Sequence, residues 1–513
     1  MISNFHVPIL SFLLLATHGS SSPLCGNTIR WVNCSEHIPS SLNLTGVDLS
    51  DLPESLHCGR VDVSMDYSKP MSRHNMITLG LAMYRPENPK GVLFVNPGGT
   101  DPGVVLAWQA ALNQTDMFSG LMDYDLMMLD VRGTYSSNPL NVSLDVFGSI
   151  PSAYPQNESD FKAYRQASRA MFQSWIDFSS PPGIVQFVGT REVVQDYEQI
   201  RQALGYDKIN FLGASYGTYR AHQYAFTFPE RVGHFALDAV VPHGRTLFDK
   251  AQDGIKALNR AVLRADAYCQ KDENCPFHKE GRGSVLRAFQ RIIAGVQKAE
   301  SSCKGDCSSV VSTAAVQASM SSLFQGQPDF GEIINTLSSA MVGNFTSLLS
   351  GSTISAELAV ALPLECGDVV YNKYDYLDFK KSLEAGLAID NSTIGMTQIW
   401  LLQLYCSGWP FHVSPEVEMP TPERMLLVTS DFDDDSPTEW TSFAWGQIPN
   451  AALVDRHGDG HVSFLDPGHH STMITKEFLR TGKLPPAQDE TLVSVYSPGT
   501  IRPPVSDPYL VPI

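Results

Sequence analysis

The segment Ile209-Asn210-Phe211-Leu212-Gly213-Ala214-Ser215-Tyr216-Gly217-Thr218 decides the fold of this chain. Its first four residues predict a short buried strand, and residues 218–226 follow with a helical pattern. Glycines two positions before and two positions after Ser215 permit a turn tight enough to strain the serine backbone and expose its hydroxyl at the helix N-terminus. The five-residue pattern alone arises by chance in roughly one chain of this length in five. Its place between a strand and a helix favours a nucleophile elbow over an ordinary glycine-rich turn.

Strand and helix patterns alternate on both sides of this elbow. Residues 91–95 and 126–129 are short, continuously apolar runs, which are typical of strands covered on both faces. A helix is predicted for residues 192–204 and another strand for residues 235–237. Residues 61–83 alternate between apolar and polar positions around a turn, which predicts an antiparallel hairpin. The order strand, helix, strand therefore predicts a largely parallel α/β sheet.

The pattern becomes helical between about residue 245 and residue 415. Residues 247–268 are the first of several long helical patterns, and strand patterns return only at 425–428 and 451–454. This middle block is expected to be a helical cap inserted into the sheet domain. The predicted division is a signal peptide at 1–20, the first part of the core at 21–244, the cap at 245–415 and the second part of the core at 416–513.

Composition excludes some classes of partner. The chain has 513 residues, of which 36 are basic and 54 acidic, so its net charge is −18. Nucleic acids require clustered lysine and arginine, and no run of five basic residues exists, so we expect no nucleic-acid partner. Beyond the N-terminal segment no stretch reaches 18 apolar residues, so no membrane span or membrane partner is expected. With 43% hydrophobic and 18% charged residues, the composition is that of a globular protein.

The N-terminus and the glycosylation sequons indicate a secretory protein. Residues 9–16 form an apolar run followed by small residues, as in a signal peptide, although basic residues are missing before it. A buried N-terminal helix is the alternative. Asn-x-Ser/Thr sequons outnumber the about two or three expected by chance, and a secreted, extracellular glycoprotein is therefore predicted. The sequons occur at Asn33, Asn43, Asn113, Asn141, Asn157, Asn344 and Asn391.

The nine cysteines should mostly pair in an oxidising compartment. No CxxC pair with a second CxxC is present to indicate zinc. Close spacing makes local loops plausible between Cys269 and Cys275 and between Cys303 and Cys307, and Cys25 is the expected odd residue. Sequence alone leaves the connectivity open. The other cysteines are Cys34, Cys58, Cys366 and Cys406.

Candidate partners of Ser215 follow two late strands. A serine hydroxyl needs an imidazole as base, and the imidazole needs a carboxylate to orient it. Asp433 comes just after the strand pattern at 425–428, and His461 comes just after that at 451–454. The order Ser, Asp, His is the one that a strand-turn-helix elbow predicts. We therefore predict Ser215, Asp433 and His461 as catalytic residues.

Metal binding is the rival interpretation of these clusters. The alternating aspartates from 431 to 435 imitate a calcium loop, but Ser436 replaces its glycine and Ser442 its final glutamate. His457 and His461 are four residues apart, yet the glycines at 458 and 460 disfavour the helix that would aim both at one zinc ion. No metal and no cofactor are therefore predicted. The residues expected at the surface or capping a loop are Asp431, Asp434, Asp435, His457, His469 and His470.

Acyl transfer also requires donors for the developing oxyanion. One is expected to be the backbone N–H of Tyr216, which follows the nucleophile. The second should come from a glycine-rich loop after an early strand. Asn96-Pro97-Gly98-Gly99-Thr100 is such a loop, and Gly99 is the predicted donor.

Together these blocks resemble the tripeptidyl-aminopeptidase-like branch of the prolyl-aminopeptidase clan of α/β-hydrolases. The sequence departs from the family pattern at Thr100, Tyr135 and Asp434, which leaves the triad intact but puts the pocket beside Ser215, and hence substrate choice, in doubt. The blocks that carry the resemblance are Asn96 to Gly99, Asp130-Val131-Arg132-Gly133, Gly213 to Thr218, Tyr224 to Pro229, Leu237-Asp238, Asp433 to Pro437, Gly460-His461 and Gly482 to Pro485.

The resemblance implies an α/β-hydrolase fold, a mostly parallel sheet flanked by helices with an inserted helical cap over the active site. It also implies a serine exopeptidase that releases short peptides from free N-termini. Disulfides similar to Cys34 with Cys58 and Cys366 with Cys406 are implied as well. Two other functions stay open: hydrolysis of an ester, lactone or amide of a small metabolite, and an inactive binding protein on a hydrolase scaffold.

An aminopeptidase must hold the ammonium group of its substrate. A fixed carboxylate near the cap would do so, since charge pairing in a water-poor pocket distinguishes a free amine from an acetylated one. Glu365 and Asp368 are the candidates, because they flank Cys366 at the end of the cap. The alternative is that both are solvated surface carboxylates.

Overall fold

The computed structural model describes residues 28–150, 154–304, 310–349, 356–371, 374–390, 398–415 and 417–513. The predicted signal peptide at 1–20 therefore lies outside the described residues, as do Cys25, Cys307 and Asn391.

One mixed sheet of eleven strands organises the described part of the chain. The strands are β1 (Arg30–Val32), β2 (Leu56–Val63), β3 (Ile77–Tyr84), β4 (Val92–Asn96), β5 (Asp125–Leu129), β6 (Ile209–Ala214), β7 (Val232–Asp238), β8 (Met425–Phe432), β9 (Ala452–Asp459), β10 (Gln488–Asp489) and β11 (Val493–Tyr496). Their order across the sheet is β1-β2-β3-β5-β4-β6-β7-β8-β9-β11-β10.

The strands between β5 and β9 are parallel, as the alternation of strand and helix patterns predicts. The predicted hairpin is confirmed, because β2 and β3 pair in antiparallel register. The carboxyl ends of parallel strands meet at one edge of a sheet, which is where open α/β sheets place their sites. Ser215, Asp433 and His461 follow β6, β8 and β9 at that edge.

Fourteen α-helices are described. They are α1 (Gly103–Ala111), α2 (Glu158–Phe178), α3 (Thr190–Leu204), α4 (Tyr216–Thr227), α5 (Leu247–Lys271), α6 (Ser284–Ser302), α7 (Thr313–Ser322), α8 (Phe330–Met341), α9 (Thr346–Leu349), α10 (Ala356–Asp368), α11 (Tyr376–Ile389), α12 (Gln398–Tyr405), α13 (Thr438–Gln447) and α14 (His470–Thr481).

Two hydrophobic clusters cover the two faces of the sheet. In β4, Val92 and Phe94 belong to one cluster, whereas the intervening Leu93 and Val95 belong to the other. Successive residues of a strand point to opposite faces, so a strand buried on both sides is apolar at every position. This explains the continuous apolar runs in the sequence.

The described helices of the predicted cap, residues 245–415, fall into two groups. Helices α5 to α9 build a hydrophobic cluster of their own, which contains Leu258, Phe289 and Leu337. Leu362 and Leu364 of α10, in contrast, join the cluster on one face of the sheet. The second half of the cap is thus packed directly on the core, which fixes α10 beside the nucleophile helix α4.

Helix α2 links the core to the predicted cap and was not predicted from the sequence. Its Phe161 and Tyr164 share a buried cluster with Ala251, Phe379 and Leu404 of the cap helices. Although α2 precedes the elbow in the chain, its hydrophobic face therefore packs in part against the inserted block.

Three disulfides are described in full: Cys34–Cys58, Cys269–Cys275 and Cys366–Cys406. Cys303 is also disulfide-bonded, and its predicted partner Cys307 lies outside the described residues. The six described sequon asparagines are all exposed. In the described residues we find no helix with the length and apolarity needed to cross a membrane.

Candidate active site

The turn between β6 and α4 has the geometry of a nucleophile elbow. Ser215 has φ +51° and ψ −126°, a conformation that L-residues rarely adopt. Its backbone N–H donates to the Asp238 carbonyl at 2.9 Å, and its own carbonyl accepts from the Thr218 hydroxyl at 2.6 Å. A Cβ on Gly217 would lie 2.4 Å from the Asn96 carbonyl oxygen, so only glycine fits this close approach. The strained serine is therefore held at the N-terminus of α4.

Asp238, at the end of β7, connects the nucleophile turn to the histidine loop. While its backbone carbonyl accepts from Ser215, its carboxylate accepts from the backbone N–H groups of Ser463 at 3.2 Å and Phe464 at 2.7 Å. Only 1% of Asp238 is exposed. One buried residue thus fixes the backbones on which Ser215 and His461 are carried. From the sequence, Asp238 was identified only as part of a family block.

Asp433 and His461 are hydrogen-bonded to each other. Asp433 Oδ2 lies 2.8 Å from His461 Nδ1, and Asp433 Oδ1 accepts from the backbone N–H groups of Asp435 and Ser436, both at 2.9 Å. The second oxygen therefore locks the carboxylate in place. With Nδ1 directed at a carboxylate, the histidine proton is held on that nitrogen and Nε2 is left as the basic atom.

Three carboxylates determine the charge of His461. Burial alone would lower its pKa, but the charge and hydrogen bond of Asp433, together with the charges of Asp435 and Asp238, raise the pKa to about 9. Asp435 does not bind the imidazole through a hydrogen bond; its Oδ2 accepts from the backbone N–H of Gly326 in the cap, at 2.8 Å. Among the three consecutive aspartates, Asp433 is thus the one placed to orient His461.

The glycine-rich loop after β4 lies directly against the nucleophile. A Cβ on Gly98, whose φ is +108°, would come within 2.7 Å of the Ser215 Cβ. The Gly98 N–H is used by Asn96 Oδ1 at 3.2 Å, whereas the Gly99 N–H makes no hydrogen bond to the described residues. The N–H of Tyr216, the first residue of α4, has no acceptor inside its helix. Both predicted oxyanion donors are therefore available.

Arg220 of α4 supports this loop from below and was not identified from the sequence. Its guanidinium donates to Asn96 Oδ1 at 3.0 Å and to the Gly99 carbonyl at 3.1 Å, and it lies over the Tyr216 ring. Only 2% of Arg220 is exposed. By binding the Gly99 carbonyl, Arg220 fixes the plane of the Gly99–Thr100 peptide group. The only sequence signal was a basic residue three positions after Gly217.

The two candidate carboxylates of α10 differ in their environment. Asp368 is saturated by protein donors: the Thr190 N–H and hydroxyl, both at 2.6 Å, and the Tyr216 hydroxyl at 2.7 Å. Glu365 is partly exposed and makes no hydrogen bond or ion pair to the described residues. Burial raises the pKa of Glu365 to about 7, although the nearby charge of Arg220 lowers it. Glu365 is thus the carboxylate with free acceptor capacity.

A second cluster of charged groups corrects one expectation. Asp431 was expected to be solvated or to cap a loop, but it is 1% exposed and accepts from Nδ1 of the partly exposed His457 at 2.8 Å. Arg502 donates to Asp431 at 2.8 Å and to Asp455 at 2.6 Å. The expectation was wrong because a buried charge is tolerated when it is paired. Although these oxygens and the imidazole lie close enough for a metal ion, the guanidinium already supplies the positive charge.

Comparison with known families agrees with this architecture. Residues 91–293 match the family model described as alpha/beta hydrolase fold, and residues 391–491 match the family model described as TAP-like protein. The first match contains the glycine-rich loop and the elbow, and the second contains Asp433 and His461. Each family model thus covers one part of the candidate site.

Individual relatives cover more limited parts of the chain. The tripeptidyl aminopeptidase of Streptomyces lividans is 31% identical over 213 residues, which are 39% of this chain and 39% of that protein. The serine protease Hip1 of Mycobacterium tuberculosis (strain ATCC 25618 / H37Rv) is 28% identical over 262 residues, 50% of this chain and 48% of its own length. YuaR of Escherichia coli (strain K12) is 22% identical over 475 residues, 86% of this chain and 89% of its own.

The chain therefore spans less than half the length of the Streptomyces and mycobacterial relatives that it matches. The described strands, the strained serine turn and the two family matches nevertheless agree on one classification. The chain has the α/β-hydrolase fold, and its residues 391–491 match the TAP-like family.

Proposed function

We propose that this protein is a serine exopeptidase that releases short peptides or single residues from free peptide N-termini. Ser215 Oγ attacks the scissile carbonyl while His461 Nε2 takes the hydroxyl proton, and Asp433 stabilises the resulting imidazolium. The N–H groups of Gly99 and Tyr216 bind the oxyanion. His461 then protonates the leaving amine, and a water molecule releases the acyl group from Ser215 by the same steps in reverse.

The observation that carries this proposal is the set of contacts that joins the three residues. Asp433 holds His461 Nδ1, and Asp238 binds the backbones of both the serine turn and the histidine loop. Two relatives are named as an aminopeptidase and a protease, which are enzymes that cleave amide bonds. These names support peptides rather than esters as substrates.

Recognition of a free N-terminus is assigned to Glu365. Its carboxylate lies near the charges of Arg220 and Asp368 and has no described partner. A substrate ammonium would donate hydrogen bonds to this carboxylate, and its charge would add to that of Arg220 in lowering the raised pKa of Glu365. Asp368 contributes indirectly, because its hydrogen bonds to Thr190 and Tyr216 hold the end of α10 against α3 and α4.

We also propose that the protein is secreted and glycosylated. Three described disulfides and the disulfide-bonded Cys303 support an oxidising compartment, and every described sequon asparagine is exposed and accessible to a glycosyltransferase. Deglycosylation of material secreted by a eukaryotic host should lower its mass by several glycans. An unchanged mass would contradict glycosylation.

A peptide library tests the proposed activity. Purified protein is incubated with peptides that carry either a free or an acetylated N-terminus, and the products are identified by mass. We expect only the free peptides to be shortened, and we expect Glu365→Gln to raise KM for them at least tenfold. Glu384→Gln, an exposed glutamate on the cap helix α11, is the matched control and should leave KM unchanged.

The same assay can contradict the proposal. Equal turnover of free and acetylated peptides would exclude an aminopeptidase, and turnover of small esters without any peptide cleavage would favour the esterase alternative. Selectivity for free peptides that survives Glu365→Gln would move the ammonium site elsewhere.

A further inference from the structure

A turn of the cap binds the backbone of the candidate catalytic histidine on both sides. This cap turn, residues 323–329, connects α7 to α8. The His461 N–H donates to the Gly326 carbonyl at 2.6 Å, and the Gln327 side-chain amide donates to the His461 carbonyl at 2.7 Å. Both peptide groups of His461 therefore have their partner in the cap, not in the sheet domain that carries the residue.

The cap turn also reaches the acidic cluster. The Gly326 N–H donates to Asp435 Oδ2 at 2.8 Å, and the Asp435 carboxylate lies in the same cluster as Asp433 and His461. One dipeptide of the cap thus contacts the histidine and its acidic neighbour together. A Cβ on Gly460 would lie 2.2 Å from the Gln327 side-chain oxygen, so the two segments are in close contact.

The backbone around His461 needs such support. Gly460 has φ +89°, and Val462 has φ +56°, which is disfavoured for a β-branched residue. Strained residues of this kind persist only where the surrounding structure determines their conformation. On the core side the support comes from Arg456, which donates to the Gly460 carbonyl at 2.7 Å, and from Asp238. The cap turn supplies the support at His461 itself.

From these contacts we infer that the cap turn is a positioning element for His461, and that Gln327 is its positioning side chain. The predicted cap would then set the geometry of the base. A second contact keeps the cap in register with this loop: Arg264 of α5 binds the Asp459 carboxylate through two hydrogen bonds of 2.7 Å. The inference rests on the proposed function of His461 as base.

Gln327→Ala removes the side-chain donor but keeps the backbone hydrogen bonds that maintain the turn. Gln327→Glu keeps the shape, removes the donor and adds a negative charge opposite the His461 carbonyl. Gln325→Ala is the matched control, because Gln325 is an exposed glutamine on the same turn with no described side-chain contact. Thermal unfolding is measured for all variants, and rates are compared at a temperature at which each of them is folded.

The readouts are the rate of Ser215 modification by a fluorophosphonate and the kinetics of peptide cleavage. We expect Gln327→Ala to lower kcat by ~3- to 10-fold with KM unchanged, as the loss of one hydrogen bond at a positioned base implies. Gln327→Glu should lower kcat further, and Gln325→Ala should match the wild type. The labelling rate should fall in parallel with kcat, since both depend on the base.

Two results would overturn the inference, and they can be told apart. Wild-type protein that is labelled at Ser215, together with Gln327 variants that retain full kcat and labelling rate, would show that the cap turn does not position His461. Wild-type protein that is not labelled at all would remove the proposed function, and the inference with it.

Discussion

Replacement of Asp433 by asparagine should be among the most damaging single changes in this protein. Asp433 Oδ1 accepts two backbone N–H groups, from Asp435 and Ser436, while Oδ2 binds His461 Nδ1. In Asp433→Asn the amide oxygen must keep the position that faces the two N–H groups, so the new NH₂ faces His461. An NH₂ group cannot accept the Nδ1 proton, and the imidazole is driven into the tautomer that carries its proton on Nε2.

With Nε2 protonated, His461 cannot take the proton of Ser215, and the imidazolium also loses its counter-charge. We expect kcat to fall by roughly 10³- to 10⁴-fold, which corresponds to about 4 to 5.5 kcal/mol of transition-state stabilisation. The assay is steady-state cleavage of a peptide identified in the library. Asp434→Asn is the control and should stay within a few fold of the wild type. A larger loss for Asp434→Asn than for Asp433→Asn would refute the assignment of the acid.

Three further predictions concern the pH dependence of catalysis, Asp238 and the Cys366–Cys406 disulfide. His461 must be neutral to act as base, and its pKa is raised, so kcat/KM should fall as the pH drops through a value above 6.5. Asp435→Asn removes one of the charges that raise this pKa. The acid limb of the pH profile should therefore move to lower pH in this variant. An acid limb that stays in place would show that Asp435 does not act on the base. Asp238→Ala should lower kcat at least tenfold without changing KM, and unchanged kcat would show that its hydrogen bonds do not align the two turns. The Cys366–Cys406 disulfide closes a loop with a sequence separation of 40. Its removal in a Cys366→Ser, Cys406→Ser double variant should lower the free energy of unfolding by about 4 kcal/mol in the chain-entropy model, and denaturant unfolding of the variant and the wild type measures this difference.

Local patterns predicted the parts of the fold that local physics determines. Residues 91–95 predict a two-faced buried strand, and the observed strand Val92–Asn96 alternates between the two hydrophobic clusters. The elbow could also be predicted from the sequence, because steric contacts within the turn and with the neighbouring strand require glycine on either side of Ser215. In both cases the determining interactions involve the same residue types wherever the motif occurs.

Contacts between distant segments were less accessible. Asp431 was expected to be solvated or to cap a loop, whereas Arg502, which neutralises its charge, lies 71 residues away in the sequence. The role of Asp238 depends on a histidine loop more than 220 residues later. Helix α2 is a different case: Asn157 caps its N-terminus, and Phe161, Tyr164, Met171 and Trp175 lie on its buried face, so its signal was present in the sequence.

The most direct test of the account is labelling by a fluorophosphonate, followed by intact mass and peptide mapping. Only a serine activated by a base reacts rapidly with such a probe. We expect one adduct on the native protein, located at Ser215, and no adduct on a folded Ser215→Ala variant. An adduct that persists in Ser215→Ala, or a native protein that does not react, would contradict the assignment of this elbow as the catalytic centre.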